Sequence, residues 1–190
     1  MSANVQQNPD ARSTELWTTG LMFASFACWL ISLMLPAFLV DGTGDLMVGL
    51  EALFFGTLFG WVVRGWAAYA NLFFVIATIR LMTGGQPCKS VVVMLALAAT
   101  LPAFQGAIIS EGASASPVVS WGWGAFLWIV SLLLCTLAAA VRAGKVKTAG
   151  ALASLALLIA CAVGIHELNL HQRRLANERK RPTLPSSTRA

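Results

Sequence analysis

LWTTGLMFASFACWLISLMLPAFLV, residues Leu16 to Val40, contains no charged side chain. It is longer than the roughly 20 residues a helix needs to cross a hydrocarbon core. Met1 to Glu15 sets Asp10 and Glu15 against a single Arg12, so no basic leader precedes the run. The run is also too long for the core of a cleavable signal. Ser25-Phe26-Ala27-Cys28 has the outline of a lipoprotein cleavage box, but Phe26 fits it poorly and the apolar run continues past it. The stretch therefore reads as a membrane span retained in the protein.

The rest of the chain agrees. Of 190 residues, 57% are hydrophobic and 11% charged. A soluble domain carries about 25% charged residues, so this chain lacks the charge to cover a water-facing surface. The expectation is an all-α, polytopic helical membrane protein. About five transmembrane helices are expected, with one re-entrant or shallow helix. Residues 1–17 form a polar N-terminal tail, 18–165 the membrane domain and 166–190 a basic C-terminal tail.

The expected spans are Thr18 to Val40, Trp66 to Met82, Val91 to Ile109, Trp121 to Val141 and Thr148 to Ile165. Between the first two, Met47 to Val63 reads as the shallow helix. Leu46 to Met82 is too long for one crossing and too short for two with a generous loop, and Arg64-Gly65 divides it. Non-spanning segments are tolerated at membrane depth where protein buries them.

Lys and Arg in short loops set orientation. With the N-terminus inside, the inner loops hold Arg80, Lys89, Arg142, Lys145 and Lys147, and the outer loops hold Asp41, Asp45 and Glu111. Arg64 alone falls on the wrong side. Trp66, Trp121 and Trp123 then sit at the outer interface, where amphipathic rings settle. Five spans leave the basic tail outside. A spanning 47–63 would bring the tail inside but move the basic loops after Arg80 and Arg142 outside. The side of the tail stays open.

LPAF occurs twice, at Leu35–Phe38 and Leu101–Phe104. Each copy ends an outgoing run. After each come an outer loop, a Trp-rich start (GWAAYANLFF from Gly65, WGWGAFLWIVS from Trp121), a returning span and a basic inner loop. That pattern is a hairpin used twice in one orientation, with the fifth span appended. Chance recurrence in an apolar chain is the competing account. Pro36 and Pro102 are expected to bend their helices, since each removes a backbone donor.

Few residues invite chemistry. Glu51 is the one carboxylate in an apolar stretch, and intramembrane ionisable groups are functional candidates; the plainer reading is a solvated carboxylate near the interface. Arg64 would pair with it if the segment folds back. Asn71 and Gln105 are amides within spans. Such groups contribute about 0.6 kcal/mol on average between helices, which favours packing over a solute site. Small residues recur every fourth position at Ala52, Gly56 and Gly60, and again at Ala156, Ala160 and Gly164. Such stripes let helix backbones approach closely, within the chain or against a partner.

His166-Glu167 and His171 suggest zinc, but the two His lie about 140° apart around a helix, against the single face a metalloprotease helix needs. Cys28, Cys88, Cys135 and Cys161 have neither metal nor redox spacing. The basic tail suits solvent and weak contact with anionic lipid. No catalytic residue, metal site or cofactor is expected, and no nucleic-acid partner.

LPAF, WAAYANLFF and GAFLWIVS together resemble small multi-pass bacterial inner-membrane proteins of uncharacterised function. Those proteins show an outer Leu-Pro-Ala-aromatic, a Trp-aromatic-Ala-Asn-Pro opening the next span, and an aromatic-Leu-Trp-x-x-Ser start to a later span. Here Leu72 stands where that Pro is expected. The resemblance covers short pieces only. It implies a bacterial inner (cytoplasmic) membrane location and topology, and no activity.

The function expected is non-catalytic. The protein would sit in the bilayer and bind another membrane or membrane-inserting protein, with a homo-oligomer as a further arrangement. Immunity against a toxin that targets the inner membrane, or an accessory role in a membrane assembly, would be concrete forms. The alternative is a small-solute transporter or channel built on Glu51, the two prolines and the repeat. An enzyme would need Glu51, Glu111 and the outer aspartates to converge.

Overall fold

The computed structural model describes residues 9–40, 46–62, 65–101, 106–108, 115–145 and 150. Five α-helices lie among them: α1 (Pro9–Met34), α2 (Gly49–Phe59), α3 (Ala70–Met82), α4 (Cys88–Ala98) and α5 (Trp123–Arg142). A 3-10 turn, Trp66–Tyr69, leads into α3. The chain is mostly helical but not all-α. Four strands, β1 (Pro36–Val40), β2 (Leu46–Val48), β3 (Gly106–Ile108) and β4 (Ala115–Trp121), form one sheet in the order β2-β1-β4-β3. All neighbouring pairs are antiparallel.

The sheet corrects three expected spans. The first run is helical only to Met34, because Leu35 precedes a proline and is pushed from the α toward the β region. Pro36 does not bend a helix; it opens β1. The third run is helical over Cys88–Ala98, and its far end supplies β3. The loop before the fourth span is strand β4, and that helix starts at Trp123. Pro102 lies outside the described residues, beyond the end of α4.

Among the described residues two helices are long and apolar enough to cross a membrane, Arg12–Met34 and Trp123–Arg142. Shorter apolar helices cover 49–59, 66–82 and 88–98. The expected five crossings are therefore not all present as long helices. The fifth run, 148–165, falls almost wholly outside the described residues. Within the segment 47–63, expected as a shallow helix, α2 is helical over 11 residues, a rise of about 16 Å.

α5 is the central element. Its apolar window is 67% buried against 28% for α1. α1 packs antiparallel along it, so Gly124 approaches Ser32 and Leu35 at one end while Ser131 meets Ser25 further down. Phe74, Ala77 and Leu81 of α3 and Val91 and Met94 of α4 close the core against Leu132, Cys135, Ala138 and Val141. A second core lies under the sheet, from Ala37, Phe38, Met47, Ala67, Leu101 and Ala125. Trp128 packs against both.

The first LPAF copy is where these parts meet. β1 carries a bulge, with Pro36 opposite Val48 and Phe38 opposite Met47. The extra residue, Ala37, explains why two successive side chains of one strand, Ala37 and Phe38, are both buried. Gly49 donates its N–H to Leu35 O (2.9 Å), and Gly122 donates to Ala37 O (2.7 Å). A β-carbon on Gly49 would strike the Ser32 carbonyl, and one on Gly122 the Pro36 carbonyl. Glycine is required there for the approach of backbones. β4 then splints the hairpins: Ala115–Pro117 pair with β3 and Val118–Trp121 with β1. Pro117, which has no N–H, sits at the seam, where no β1 partner is paired with it.

The opposite end is basic. Arg80 closes α3, Lys89 opens α4 and Arg142 ends α5. Arg142 Nη1 donates to Leu81 O at 2.9 Å. A cation thereby satisfies a carbonyl at the negative end of α3.

Candidate functional site

Asn71 lies one residue into α3, after the 3-10 turn that the WAAYAN stretch forms. Trp29 Nε1 of α1 donates to its Oδ1 at 2.9 Å, and Trp128 Nε1 of α5 donates to the same oxygen at 2.8 Å. An indole N–H only donates, so the atom facing both rings is the amide oxygen. Asn71 Nδ2 donates back to Ala68 O at 2.9 Å. One side chain thus ties three helices. Trp29 also stacks on Phe74, with ring centroids 5.7 Å apart.

The bonding continues along the α1–α5 seam. Ser25 Oγ donates to Ser131 O (2.7 Å), Ser131 Oγ to Trp128 O (2.6 Å) and Ser32 Oγ to Trp29 O (2.6 Å). Thr18, Thr57, Thr78 and Thr136 donate to the carbonyl four residues back. Among the described residues no buried side-chain nitrogen or oxygen lacks a partner. Internal pairing of this kind is what surroundings without water demand.

Beside Asn71 is a cleft of about 80 Å³ under the sheet. α2 walls one side with Ala52, Leu53 and Gly56, and α5 the other with Gly124, Ala125 and Trp128. Among the described residues no charged side chain lines it.

Of the expected contact residues the structure describes Glu51 and Asn71, and Asn71 alone of these two lines the cleft. Glu51 is exposed and outside the cleft, and its Oε2 accepts the Val48 N–H at 3.2 Å, closing the first turn of α2. Gly56 and Gly60 serve internal packing: a β-carbon on Gly56 would meet Ala68 Cβ at 2.7 Å, and one on Gly60 the Gly65 carbonyl at 3.0 Å. Arg64, Gln105, Ala156, Ala160, Gly164, His166, Glu167 and His171 lie outside the described residues. Among the described residues no three His, Cys, Asp or Glu come together as metal ligands.

Trp29 and Trp128 are the residues that sequence reasoning missed. Their signal was countable. Two indoles deep inside apolar runs need acceptors, and the side-chain amides within the runs are Asn71 and Gln105. Trp66, Trp121 and Trp123 do gather at the sheet end, the first and last exposed.

Comparison with protein-family models, with curated proteins and with solved structures gives no match.

Proposed function

We propose that the chain is a non-catalytic, multi-pass inner-membrane protein that docks a membrane or membrane-inserting partner on its sheet end. The observation that carries this reading is the sheet itself. Two segments far apart in sequence, 36–48 and 106–121, pair through β1 and β4 over the end of the bundle. Connectors need only return the chain, and rigid scaffolds that hold loops in place are where binding residues concentrate. The residues that join each hairpin carry Asp41, Asp45 and Glu111. At the other end, α3 and α4 are joined by a short turn. Basic residues gather at that other end, which supports an N-terminus-inside orientation with the sheet outside. Immunity to a membrane-targeting toxin, or an accessory place in a membrane assembly, would use such a platform.

Transport through the chain has less support. Glu51 caps α2, and the described lining of the cleft is mostly hydrocarbon. The discriminating experiment is purification from the native membrane after mild crosslinking. One near-stoichiometric partner is the expected result. A clean homo-oligomer with no partner would overturn the docking reading and move attention to flux assays with Glu51→Gln.

A further inference from the structure

We infer that the cleft beneath the sheet holds the end of one hydrocarbon chain of a bilayer lipid, with α2 as its outer wall. The inference rests on the membrane reading above.

Size narrows the occupant first. The cleft is about 80 Å³, roughly half of an apolar cavity of about 150 Å³ that takes benzene. A slim unbranched chain end fits a space of that size.

The chemistry narrows it further. Phe38, Ala52, Leu53, Leu101, Ala125 and Trp128 present carbon. Among the described residues, the polar side chains of the lining besides the Trp128 indole are Ser32 and Asn71. Ser32 Oγ is already given to Trp29 O, and the Asn71 oxygen already accepts two indoles. A polar solute entering here would leave water and find these groups engaged. A hydrocarbon chain gives up no hydrogen bond.

The source follows from α2. None of its residues is buried, and Leu50, Phe54 and Leu58 on its outer side are exposed. The α2 wall is therefore continuous with a surface that only hydrocarbon satisfies. The same is true of α1, which exposes Phe23 and Leu30. Within a bilayer the acyl chains are the solvent at that surface. Ala52 and Ala125 of the lining are small and leave the space open, whereas protein interiors ordinarily close such spaces.

The test reconstitutes the full chain in phosphatidylethanolamine–phosphatidylglycerol vesicles that contain a phospholipid with a diazirine at the end of one acyl chain. After irradiation, adducts are located by peptide mass spectrometry. Leu53 and Leu101 are expected to be labelled. Ala52→Phe fills the cleft and should lower their labelling at least five-fold, with Phe23 and Leu30 unchanged. Leu53→Ala adds no bulk and widens the cleft, and it should raise labelling at Leu101 about two-fold.

The inference is overturned if Leu53 and Leu101 stay unlabelled while Phe23 and Leu30 are labelled, or if neither variant changes the pattern. Cleft labelling in vesicles that vanishes in native membranes would also overturn it, by showing a partner's side chain in the cleft. Absence of label at Phe23 and Leu30 as well would instead overturn the membrane reading.

Discussion

Asn71 shows how much one polar atom decides in an apolar protein. Its oxygen takes two indole N–H groups from two different helices. Asn71→Ala orphans both donors at once, and each unsatisfied group costs about 1–3 kcal/mol. Trp29→Phe removes a donor and leaves the amide oxygen one remaining partner, Trp128. The loss there should be about 0.5–1.5 kcal/mol, the size of a typical net hydrogen bond. Unfolding in detergent with a double-mutant cycle reads the difference: Asn71→Ala should destabilise more than Trp29→Phe, and the double mutant less than their sum. Additive losses would mean that the amide and the indole do not act as one unit. Glu51 works at smaller stakes. Glu51→Gln weakens an exposed helix-start interaction whose usual size is about 0.3–1 kcal/mol, and it should leave partner capture unchanged.

The helix–strand junction is the device at the level of elements. A helix ends before LPAF, a hairpin follows, and the chain returns as a helix. The sheet order β2-β1-β4-β3 places the second strand of each hairpin ahead of its first. The two strand pairs thus repeat side by side in one sense, and in the first of them LPAF ends the helix and opens the hairpin. In the first half α2 is inserted between the hairpin and the returning helix; in the second, α5 follows β4 directly. Two glycines hold the junction closed. Gly49→Ala and Gly122→Ala each drive a β-carbon into a carbonyl. Each should destabilise by about 2 kcal/mol or more, as overpacking does when backbone must move, and should reduce partner capture. Gly20→Ala is the control. Nothing lies within 4 Å of its added carbon, and alanine is the better helix former by about 1 kcal/mol in water, so stability should hold or rise. Thermal unfolding of the three variants in one detergent checks the order.

For the whole molecule, the separation of charge from sheet makes orientation testable with a native reporter. Cys88 is exposed at the start of α4, at the basic end, while Cys135 is buried and Cys28 half-buried. In a Cys161→Ser background, an impermeant maleimide should leave Cys88 unlabelled in intact spheroplasts and label it in inverted vesicles. The reverse pattern would put the basic end outside and would place the sheet in the cytoplasm. α5, buried over most of its length, is the axis around which α1, α3 and α4 assemble. The exposed apolar faces of α1, α2 and α3 are the surface the molecule offers to its surroundings.

That the chain holds helices long and apolar enough to cross a membrane was legible from composition alone, because charge is so scarce and the apolar runs are so long. The helical extent of 66–82 and of the central span was legible for the same reason: continuous apolar sequence without a breaker has no better local option than helix. The small-residue stripe at Gly56 and Gly60 was visible too, but not its role, because close approach to a partner and close approach to Ala68 leave the same sequence pattern. Tertiary structure decided the rest. Whether PAFLV continues a helix or begins a strand depends on β2 and β4 arriving beside it, and those strands come from residues up to 83 positions away, as the pairing of Phe38 with Trp121 shows. Asn71 became a three-helix tie only when α1 and α5 brought their indoles to within hydrogen-bonding distance. Hydrophobic content depends on the residues one at a time and can be read along the chain; strand pairing and polar satisfaction are relations between distant residues and exist only in the fold.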